Sequence, residues 1–317
     1  MLNAQNTMHS IIRNISRVII GKQEAVVLTL LSLLCQGHVL VEDVPGVGKT
    51  SLVSALSKSV DCTFQRIQFT PDIMPSDITG FTMYNQKTGQ FDFKPGLVMS
   101  SFILADEINR TSPKTQASLL EVMEEGQVTV DGTTYPMSRP FMVLATQNPT
   151  EYLGTYPLPE AQMDRFLMRI SLGYPERADE VHILSRFRTE DPLRNLQPVV
   201  ADEHIVALQK MTAAVDIDES LQSYAVDIVR FTRGHPDVGL GASPRGSLGL
   251  MRAAQARALY EGRGYVLPDD IKKMAPPVLT HRLILTQEAR LRAVQPGHII
   301  ASALERIPCP VFRAHGR

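Results

Sequence analysis

The chain has 317 residues, of which 44% are hydrophobic and 21% are charged, and its formal net charge is −1. This composition is typical of a globular protein and excludes a disordered or fibrous chain, and the length is sufficient for two domains. Because the net charge is close to zero, no overall basic field points to nucleic acid as a partner.

The cysteines and the first residues bear on the cellular compartment. Cys35, Cys62 and Cys309 lack CxxC or Cys/His spacing, which argues against a zinc site or a disulfide scaffold and fits a reducing cytoplasm. The first twenty residues have the apolar spacing of an amphipathic helix and include Arg13 and Arg17. Since no later run is long enough to cross a bilayer, we predict a cytoplasmic protein without a signal peptide or membrane span.

Residues 42–50 read EDVPGVGKT and directly follow the apolar run 37–41. A glycine-rich segment between a buried strand and a helix is typical of a phosphate-binding loop. The first glycine of the usual pattern is replaced by Asp43, which weakens the pattern match but leaves the glycine cradle. An accidental glycine-rich turn is improbable, because a strand-like run precedes the loop and apolar residues at helical spacing follow it.

Each residue type in this loop suits a phosphate. Gly46 and Gly48 let consecutive backbone N–H groups face a phosphate, and Lys49 reaches toward the β and γ phosphates. The Thr50 hydroxyl can hold Mg²⁺. The loop therefore predicts a site for ATP or GTP.

Helix signals over 24–34 and 50–60 alternate with short strand-like runs. The runs lie at 37–42, 63–69, 101–106, 141–146 and 166–171. This alternation predicts an α/β fold with a mainly parallel sheet covered by helices. A helix is also predicted over 113–125, with Ser112 as its N-cap.

Two carboxylates, Asp106 and Glu107, follow the apolar run 102–105. They are therefore expected at the carboxyl end of a buried strand, where ligands bind in open α/β sheets. We expect Asp106 to hold the water shell of Mg²⁺ opposite Thr50, and Glu107 to orient the attacking water. A strand that ends at a solvated acidic turn is the alternative, and the phosphate loop earlier in the chain makes it less favoured.

Polar residues also follow the later strand-like runs. Asn148 ends one run, where its amide can bind the γ phosphate or the water, although alone it would be an ordinary turn residue. Arg165 lies between a helical segment and a strand. Two interpretations of Arg165 stay open: it pairs with Asp164 or Glu160, or it projects toward a neighbouring subunit.

The pattern changes from about residue 191, where DPLRNLQPVV is typical of a linker. Predicted helices follow at 202–214, 217–233, 245–261 and 268–279. A second, helical domain is expected there. Arg245 opens the third of these helices and could reach back to the γ phosphate. A cation in a first helical turn is slightly unfavourable, which hints at an anionic partner.

Seven motifs follow one another along the chain. They are VIIGKQEAV at 18–26, EDVPGVGKT at 42–50, QFTPDIMPSDITG at 68–80, FKPGLVMSSFILADEINRTSPKTQASLLEVMEEGQVTVDG at 93–132, ATQNP at 145–149, LPEAQMDRF at 158–166 and SPRG at 243–246. In this order they resemble the MoxR family of AAA+ ATPases, from Ile19 to about Pro310.

The resemblance implies a P-loop AAA+ core followed by a smaller helical lid domain. The implied boundaries are 1–190 for the nucleotide-binding α/β domain and 191–317 for the lid, with insert hairpins near 77–95 and 127–136. For most of the insert aromatics Phe81, Tyr84, Phe91 and Phe93 we favour packing on their own domain over a role as channel-facing grips, because only one face of a hairpin points outward.

The resemblance also assigns roles to the site residues. It implies the Walker A pair Lys49 and Thr50, the Walker B pair Asp106 and Glu107, sensor 1 Asn148, the arginine finger Arg165 and sensor 2 Arg245. It implies contacts to adenine from Val18, Ile19 and Gly21, and contacts to phosphates from Pro45, Gly46, Val47, Gly48, Lys49, Thr50 and Ser51. Asp106 belongs to the same nucleotide site through Mg²⁺, which Thr50 and Asp106 would hold. Alternatives for the finger are Arg110, Arg139 and Arg169.

By the same resemblance the protein hydrolyses ATP in a homo-hexameric ring, in a crevice between the α/β domain and the lid. It implies a chaperone-like remodeller that matures a protein complex or a metal or cofactor enzyme, acting on a protein client with a partner that carries a von Willebrand factor A domain. Four alternatives are weighed against this: a small-molecule kinase, a magnesium-chelatase motor subunit, a nucleotide-dependent binding switch with little turnover, and a nucleic-acid translocase. The acidic pair disfavours the kinase, and the balanced charge disfavours the translocase.

Overall fold

The computed structural model describes residues 3–148, 155–188 and 191–310. Pro149, which ends the ATQNP motif, residue 190 at the implied domain boundary, and residues 311–317 of the implied lid lie outside the described residues. Among the described residues, no helix is long and apolar enough to cross a membrane.

The first part of the chain alternates helices and strands as predicted. Its helices are α1 Ala4–Ile15, α2 Gln23–Leu34, α3 Lys49–Ser59, α4 Pro75–Thr79, α5 Pro113–Glu125, α6 Glu160–Met163 and α7 Arg177–Phe187. Its strands are β1 Val39–Glu42, β2 Phe64–Gln68, β3 Gly80–Asn85, β4 Gln90–Pro95, β5 Phe102–Asp106, β6 Gln127–Val130, β7 Thr133–Pro136, β8 Met142–Gln147 and β9 Met168–Ile170. Helix α7 was not predicted, because its exposed sequence lacks a clear apolar stripe.

Five strands form the central sheet in the order β2-β5-β8-β1-β9, and every neighbouring pair is parallel. This confirms the predicted parallel sheet. Since β8 lies between β5 and β1, the residues that follow these three strands meet at one edge.

Alternating strand side chains bury two faces of the sheet. Val39 and Val41 belong to a core with α1, α2 and α3, whereas Leu40 belongs to a second core with α5. Because side chains alternate across a strand, near-continuous apolar runs are what a sheet covered on both faces requires. The predicted helices on both faces are thus confirmed.

Two hairpins stand beside the sheet, β3 with β4 and β6 with β7. Phe93 of the first stacks on Tyr135 of the second, with ring centroids 3.9 Å apart. Phe81, Tyr84 and Phe91 are instead exposed, so the expectation that most of these aromatics pack on their own domain was wrong. Thr82, near the base of the first hairpin, also donates to Asp131 in the turn of the second, and the far end of the first hairpin extends beyond these contacts.

The second part of the chain is mainly helical. Its helices are α8 Asp202–Ala213, α9 Glu219–Gly234, α10 Pro244–Tyr260, α11 Pro268–Leu279, α12 Gln287–Leu291 and α13 Pro296–Arg306, and its strands are β10 Val238–Leu240 and β11 Ile284–Leu285. The four helices that the sequence predicted are present. The short α12 and the terminal α13 were missed.

The helical part packs on the same face of the sheet as α1 and α2. Helices α8 and α10 contact α2, α10 contacts α1, and α11 contacts β9. Buried residues of both parts, such as Leu30 and Leu250, belong to one continuous hydrophobic core. The lid is therefore fixed beside the sheet by apolar burial, which is the dominant favourable term in folding.

Candidate nucleotide-binding site

The phosphate loop connects β1 to α3 and is open on one side. Gly46 and Gly48 have φ values of 84° and 94°, and a Cβ placed on either glycine would meet nothing within 4 Å. These positive φ values favour glycine. The loop thus has the backbone curvature and the open space that phosphates require.

Helix α3 begins at Lys49, directly after the loop, with Thr50 and Ser51 in its first turn. No side chain caps its N-terminus, so the first backbone N–H groups point out of the helix toward the loop. Lys49 Nζ donates a hydrogen bond to the carbonyl oxygen of Asp43 at 3.0 Å, which holds the lysine over the loop. Pro45 and Val47 complete the curve of the chain.

The buried carboxylate of Asp43 ties the loop to the end of β9. It accepts hydrogen bonds from Ser171 Oγ at 3.0 Å and from the backbone N–H groups of Leu172 and Gly173, the latter at 3.1 Å. Sequence reasoning treated Asp43 as a departure from the glycine pattern. The partners of its carboxylate lie 128 to 130 residues away, so a short stretch of sequence does not reveal them. The only sign of a role for Asp43 in the sequence was that it stands where the pattern has glycine.

Asp106 ends β5 at the same edge of the sheet. Its Oδ1 accepts a hydrogen bond from Thr146 Oγ1 at 2.7 Å, and its Oδ2 binds Arg66 Nη2 at 2.6 Å. Oxygen atoms are the ligands that Mg²⁺ prefers, and the Asp106 carboxylate and the Thr50 hydroxyl, in the first turn of α3, both offer them, so these residues suit the ion. The Arg66 guanidinium supplies positive charge to this carboxylate.

Glu107 has a φ of 57°, a left-handed conformation that is uncommon for a residue other than glycine and clusters at functional sites. Its Oε2 accepts a hydrogen bond from Gln68 Nε2 at 2.8 Å and pairs with Arg110 Nε at 3.1 Å. Its backbone N–H donates to Thr146 Oγ1 at 2.9 Å. Each of the two carboxylates thus has two side-chain partners, which hold the acidic pair in place: Thr146 and Arg66 for Asp106, and Gln68 and Arg110 for Glu107.

Sequence reasoning missed Arg66, Gln68 and Thr146 as parts of this site. A signal was present in β2, because Arg66 and Gln68 lie two residues apart on one face of an edge strand. Gln68 is the register partner of Asp106. This register pairing depends on β2 lying beside β5 in the sheet, which the sequence of neither strand reveals by itself.

Asn148 directly follows β8 and is 6% exposed. Because β8 lies between β5 and β1, Asn148 stands between the acidic pair and the phosphate loop. Val18 and Ile19 are buried in the core, and Gly21 has a φ of 72°. Asp179 of α7 would lie 1.9 Å from a Cβ at Gly21, so α7 lies directly against this segment.

Arg165 and Arg245 lie away from the phosphate loop and the acidic pair. Arg165 Nη1 donates to the carbonyl oxygen of Leu120 at 2.7 Å, and its Nη2 pairs with Glu124 Oε2 at 3.1 Å. Arg245 pairs with the other oxygen of Glu124, Oε1. Arg165 thus has Glu124 as its ion-pair partner, so the first of its two open interpretations, a pair with Asp164 or Glu160, was wrong.

These arginines line a cavity of about 330 Å³ at the amino-terminal edge of the sheet. Gly37 and His38, which precede β1, also line it. The phosphate loop follows the other end of β1, and four strand residues span roughly 13 Å. Within one chain, therefore, Arg245 does not reach its own phosphate loop, and the expectation that it reaches back to the γ phosphate of the same chain was wrong.

The alternative finger residues have other surroundings. Arg110 pairs with Glu107 of its own chain, and Arg169 Nη1 pairs with Glu42 Oε2 at 3.0 Å. Arg139 lines a separate cavity with Met137. Of the four candidates, Arg165 is the one that shares a cavity with Arg245.

A buried ion pair joins the two arginine-bearing segments. Arg282 Nε donates to Asp164 Oδ1 at 2.8 Å, and Ser243 Oγ donates to Asp164 Oδ2 at 2.7 Å. Ser243 is the N-cap of α10, two residues before Arg245. Asp164 therefore fixes the start of the Arg245 helix beside Arg165. Burial lowers the pKa of Arg282, and the nearby Asp164 carboxylate opposes this shift.

The comparisons with known proteins agree with the observed fold. Residues 38–168 match the ATPase family associated with various cellular activities (AAA), and residues 230–303 match the AAA lid domain. The chain is 52% identical to the uncharacterized protein YeaC of Bacillus subtilis, over 96% of this chain and 95% of that protein. It is 42% identical to the chaperone MoxR1 of Mycobacterium tuberculosis, over 98% of this chain and 84% of that protein.

A solved structure is also similar. The crystal structure of a proposed ATPase from Cytophaga hutchinsonii superposes with a TM-score of 0.91 and 40% sequence identity. The match covers 97% of this chain and 96% of that one. The similarity therefore includes both the sheet and the helical part.

Proposed function

Because the chain belongs to the MoxR family of AAA+ ATPases, we propose that it binds and hydrolyses ATP at a site shared between neighbouring copies of itself. One observation carries this proposal. The phosphate loop, Asp106, Glu107 and Asn148 meet at one edge of the sheet, whereas Arg165 and Arg245 lie at the opposite edge. A complete site thus needs a second chain.

One chain supplies the loop half of this site. Its backbone N–H groups from Gly46 to Ser51 and Lys49 bind the phosphates, while Thr50 and Asp106 are the residues that would hold Mg²⁺. When bound, Mg²⁺ neutralises phosphate charge as it develops. The segment from Val18 to Gly21 would contact the adenine.

Glu107 is the group that orients the attacking water and accepts its proton. Gln68 and Arg110 hold the Glu107 carboxylate, so a change at either residue alters where it points. The amide of Asn148 is the nearby neutral donor for the γ phosphate or the water.

The neighbouring chain supplies the arginine half. Arg165 and Arg245 of that chain would neutralise the charge that develops on the transferred phosphoryl group, an effect worth about 10³ to 10⁵ in rate where arginine fingers have been dissected. Heterologous contacts of this kind close into a ring, for which we propose a homo-hexamer.

For the biological role we propose a chaperone-like remodeller that acts on a protein client, with a von Willebrand factor A domain protein as partner. Identity with a relative named as a chaperone extends over 98% of the chain, which favours this role over a magnesium-chelatase motor. The proposed domains are 1–190 and 191–317, and the two family matches fall on either side of this boundary. A cytoplasmic location stays a prediction.

A mixing experiment tests the shared site. Lys49→Ala removes the loop half, and Arg165→Ala removes the arginine half. Each variant alone should lose ATP turnover, while an equimolar mixture should recover a fraction of it. In such a mixture, the loop of an Arg165→Ala chain meets the arginine of a Lys49→Ala chain.

The same mixture with Arg245→Ala in place of Arg165→Ala tests the second arginine separately. Recovery is expected if Arg245 acts on the neighbour's nucleotide. A mixture of Lys49→Ala with Glu107→Gln is the control, because both changes affect the loop half and no intact site forms. Turnover that is independent of protein concentration and unaffected by Arg165→Ala would contradict the shared site.

A further inference from the structure

The Glu124 carboxylate binds both arginines of the proposed trans half-site at once. Its Oε2 pairs with Arg165 Nη2 at 3.1 Å, and its Oε1 pairs with Arg245. These two guanidinium groups come from segments 80 residues apart, one before β9 and one at the start of α10. The Glu124 carboxylate, in the last turn of α5, therefore occupies both guanidinium groups. An incoming anion that binds these arginines would have to displace it.

The cavity around Glu124 has an excess of positive charge. Among its described lining residues, Arg282 and Asp164 neutralise each other as a buried pair. Arg165, Arg245 and Arg252 then face the one remaining carboxylate, that of Glu124. The charge of Arg245 also contributes to lowering the pKa of the buried Arg282. The cavity suits an anion that carries more than one negative charge.

The Glu124 contacts are of the kind that a phosphate can displace. The side chains of Glu124 and Arg245 are 34% and 47% exposed, and ion pairs between exposed groups are weak because water screens them. A polyphosphate offers several charged oxygens in the geometry that guanidinium groups bind bidentately. It should therefore compete successfully with one carboxylate.

We propose that Glu124 is an internal anion that occupies Arg165 and Arg245 in the unassembled chain, and that the polyphosphate of a neighbour's ATP replaces it on assembly. The identity of this anion rests on the proposed shared site. The role of Glu124 as a competitor follows from the cavity itself, and it can be measured without a ring. Glu124 would thus set how readily the two arginines become available.

Binding of inorganic triphosphate provides the test. The background is Lys49→Ala, which disables the chain's own phosphate loop. In that background, calorimetry should show that Glu124→Gln binds triphosphate about five- to tenfold more tightly than the chain with Glu124, since an exposed ion pair contributes up to about a factor of five per contact. Glutamine keeps the shape of the side chain and one carbonyl acceptor while removing its charge.

Two controls define where the gain arises. Glu121→Gln removes the same charge from the same helix at an exposed position outside the cavity lining, and it should produce no gain. Adding Arg245→Ala to Glu124→Gln should abolish the gain. Glu124→Ala is the second variant, and it should behave as Glu124→Gln does. Equal affinities with and without Glu124, or no triphosphate binding in any variant, would overturn the proposal.

Turnover against protein concentration gives a second readout. With an intact loop, Glu124→Gln should reach half-maximal turnover at a protein concentration severalfold lower than the unaltered chain does. If turnover at saturating protein concentration falls instead, Glu124 aligns the arginines for the reaction, and the proposal is wrong. The mixing experiment decides the shared site independently, so failure of the two ideas can be told apart.

Discussion

At the scale of single residues, the site is held by partners that carry no motif of their own. Asp43 binds three donors at the end of β9, and Arg66 and Gln68 bind the acidic pair from β2. These contacts fix carboxylates whose positions matter to within a fraction of an ångström for phosphoryl transfer. Removing Asp43 should therefore change the stability of the fold, and removing Arg66 should change the binding of Mg²⁺.

The first prediction concerns Asp43. Asp43→Ala leaves two backbone N–H groups and the Ser171 hydroxyl without their acceptor at a buried position. We expect the free energy of unfolding to fall by roughly 2–3 kcal/mol, because unsatisfied buried donors cost about 1–3 kcal/mol. Urea titration measures this change. Asp43→Asn keeps one acceptor oxygen and should lose less, and a loss below about 0.5 kcal/mol in Asp43→Ala would contradict the bridging role.

The second prediction concerns Arg66, whose guanidinium contacts the carboxylate that would hold Mg²⁺. A fixed cation at Asp106 competes with a bound metal ion. Arg66→Ala should therefore lower the Mg²⁺ concentration needed for half-maximal ATP binding, by up to about fivefold, since the arginine is half exposed and such pairs are weak.

Titration of a fluorescent ATP analogue with Mg²⁺ measures this effect. Arg292→Ala, which removes an exposed arginine paired with Asp237 in the helical part, is the matched control. A higher Mg²⁺ requirement in Arg66→Ala would show that Arg66 supports the metal site and does not compete with it.

At the scale of elements, helix α5 connects the two edges of the sheet. Near its start, Gln116 Nε2 donates to the carbonyl oxygen of Ile108 at 3.1 Å, beside the acidic pair. Near its end, Glu124 holds the two arginines, and the carbonyl oxygen of Met123 accepts a hydrogen bond from His38 Nε2 at 2.9 Å. The helix thus spans from the chain's own site to the surface proposed to face a neighbour.

His38 fixes the end of α5 only in its neutral form. Its Nδ1 accepts the backbone N–H of Val143 at 3.0 Å, so a proton on Nδ1 would oppose a donor. Burial lowers the pKa of His38 to about 4 from its ordinary value of 6.5. The unfolded chain therefore takes up a proton over a pH range in which the folded chain does not.

The third prediction follows from this shift. The contribution of His38 to stability should be complete above about pH 6.5 and should be lost as the pH falls toward 4, by about 3 kcal/mol in total. Urea titrations at pH 7 and pH 5 measure the decline. His38→Gln should show a shallower decline than the unaltered chain. Identical declines would place the pH sensitivity elsewhere, for example at His281, whose pKa burial also lowers.

At the scale of the whole molecule, the lid and the sheet form one hydrophobic core. The buried pair of Arg282 and Asp164 lies at their junction, and Arg282 also donates to the carbonyl oxygens of Phe166 and Leu167 at 2.7 and 3.1 Å. Separating the lid from the sheet of its own chain would expose this buried apolar surface to water, which is unfavourable. If hydrolysis moves domains, the movement should occur between the lid of one chain and the loop of the next.

The fourth prediction tests the junction. Arg282→Ala should lower the free energy of unfolding by about 3–5 kcal/mol, because it leaves the Asp164 carboxylate without its ion-pair partner. The two parts should then lose cooperativity, which calorimetry would record as a second thermal transition. Arg257→Ala removes a less buried arginine of α10 that pairs with Glu261, the C-cap of the same helix, and should cost less than about 1 kcal/mol. A single unchanged transition in Arg282→Ala would contradict the role of the pair.

The sequence by itself determined the parallel sheet, the helical second part and the place of the glycine-rich loop between β1 and α3. These features depend on local rules, since apolar runs, helical spacing, Gly46 and Gly48, and the pair Asp106 and Glu107 are all visible within short windows. Helix α7 was missed because its side chains are mostly exposed and leave no apolar periodicity to read.

Only the tertiary structure decided where the arginines lie. Arg165 and Arg245 were recognised as residues, but their distance from the phosphate loop depends on the direction of β1 and on the face of the sheet that the lid covers. Glu124 and Asp43 acquired roles in the same way, through partners far along the chain. Contacts between residues far apart along the chain depend on which apolar faces of the helices and the sheet pack together. A short stretch of sequence does not indicate which faces these are.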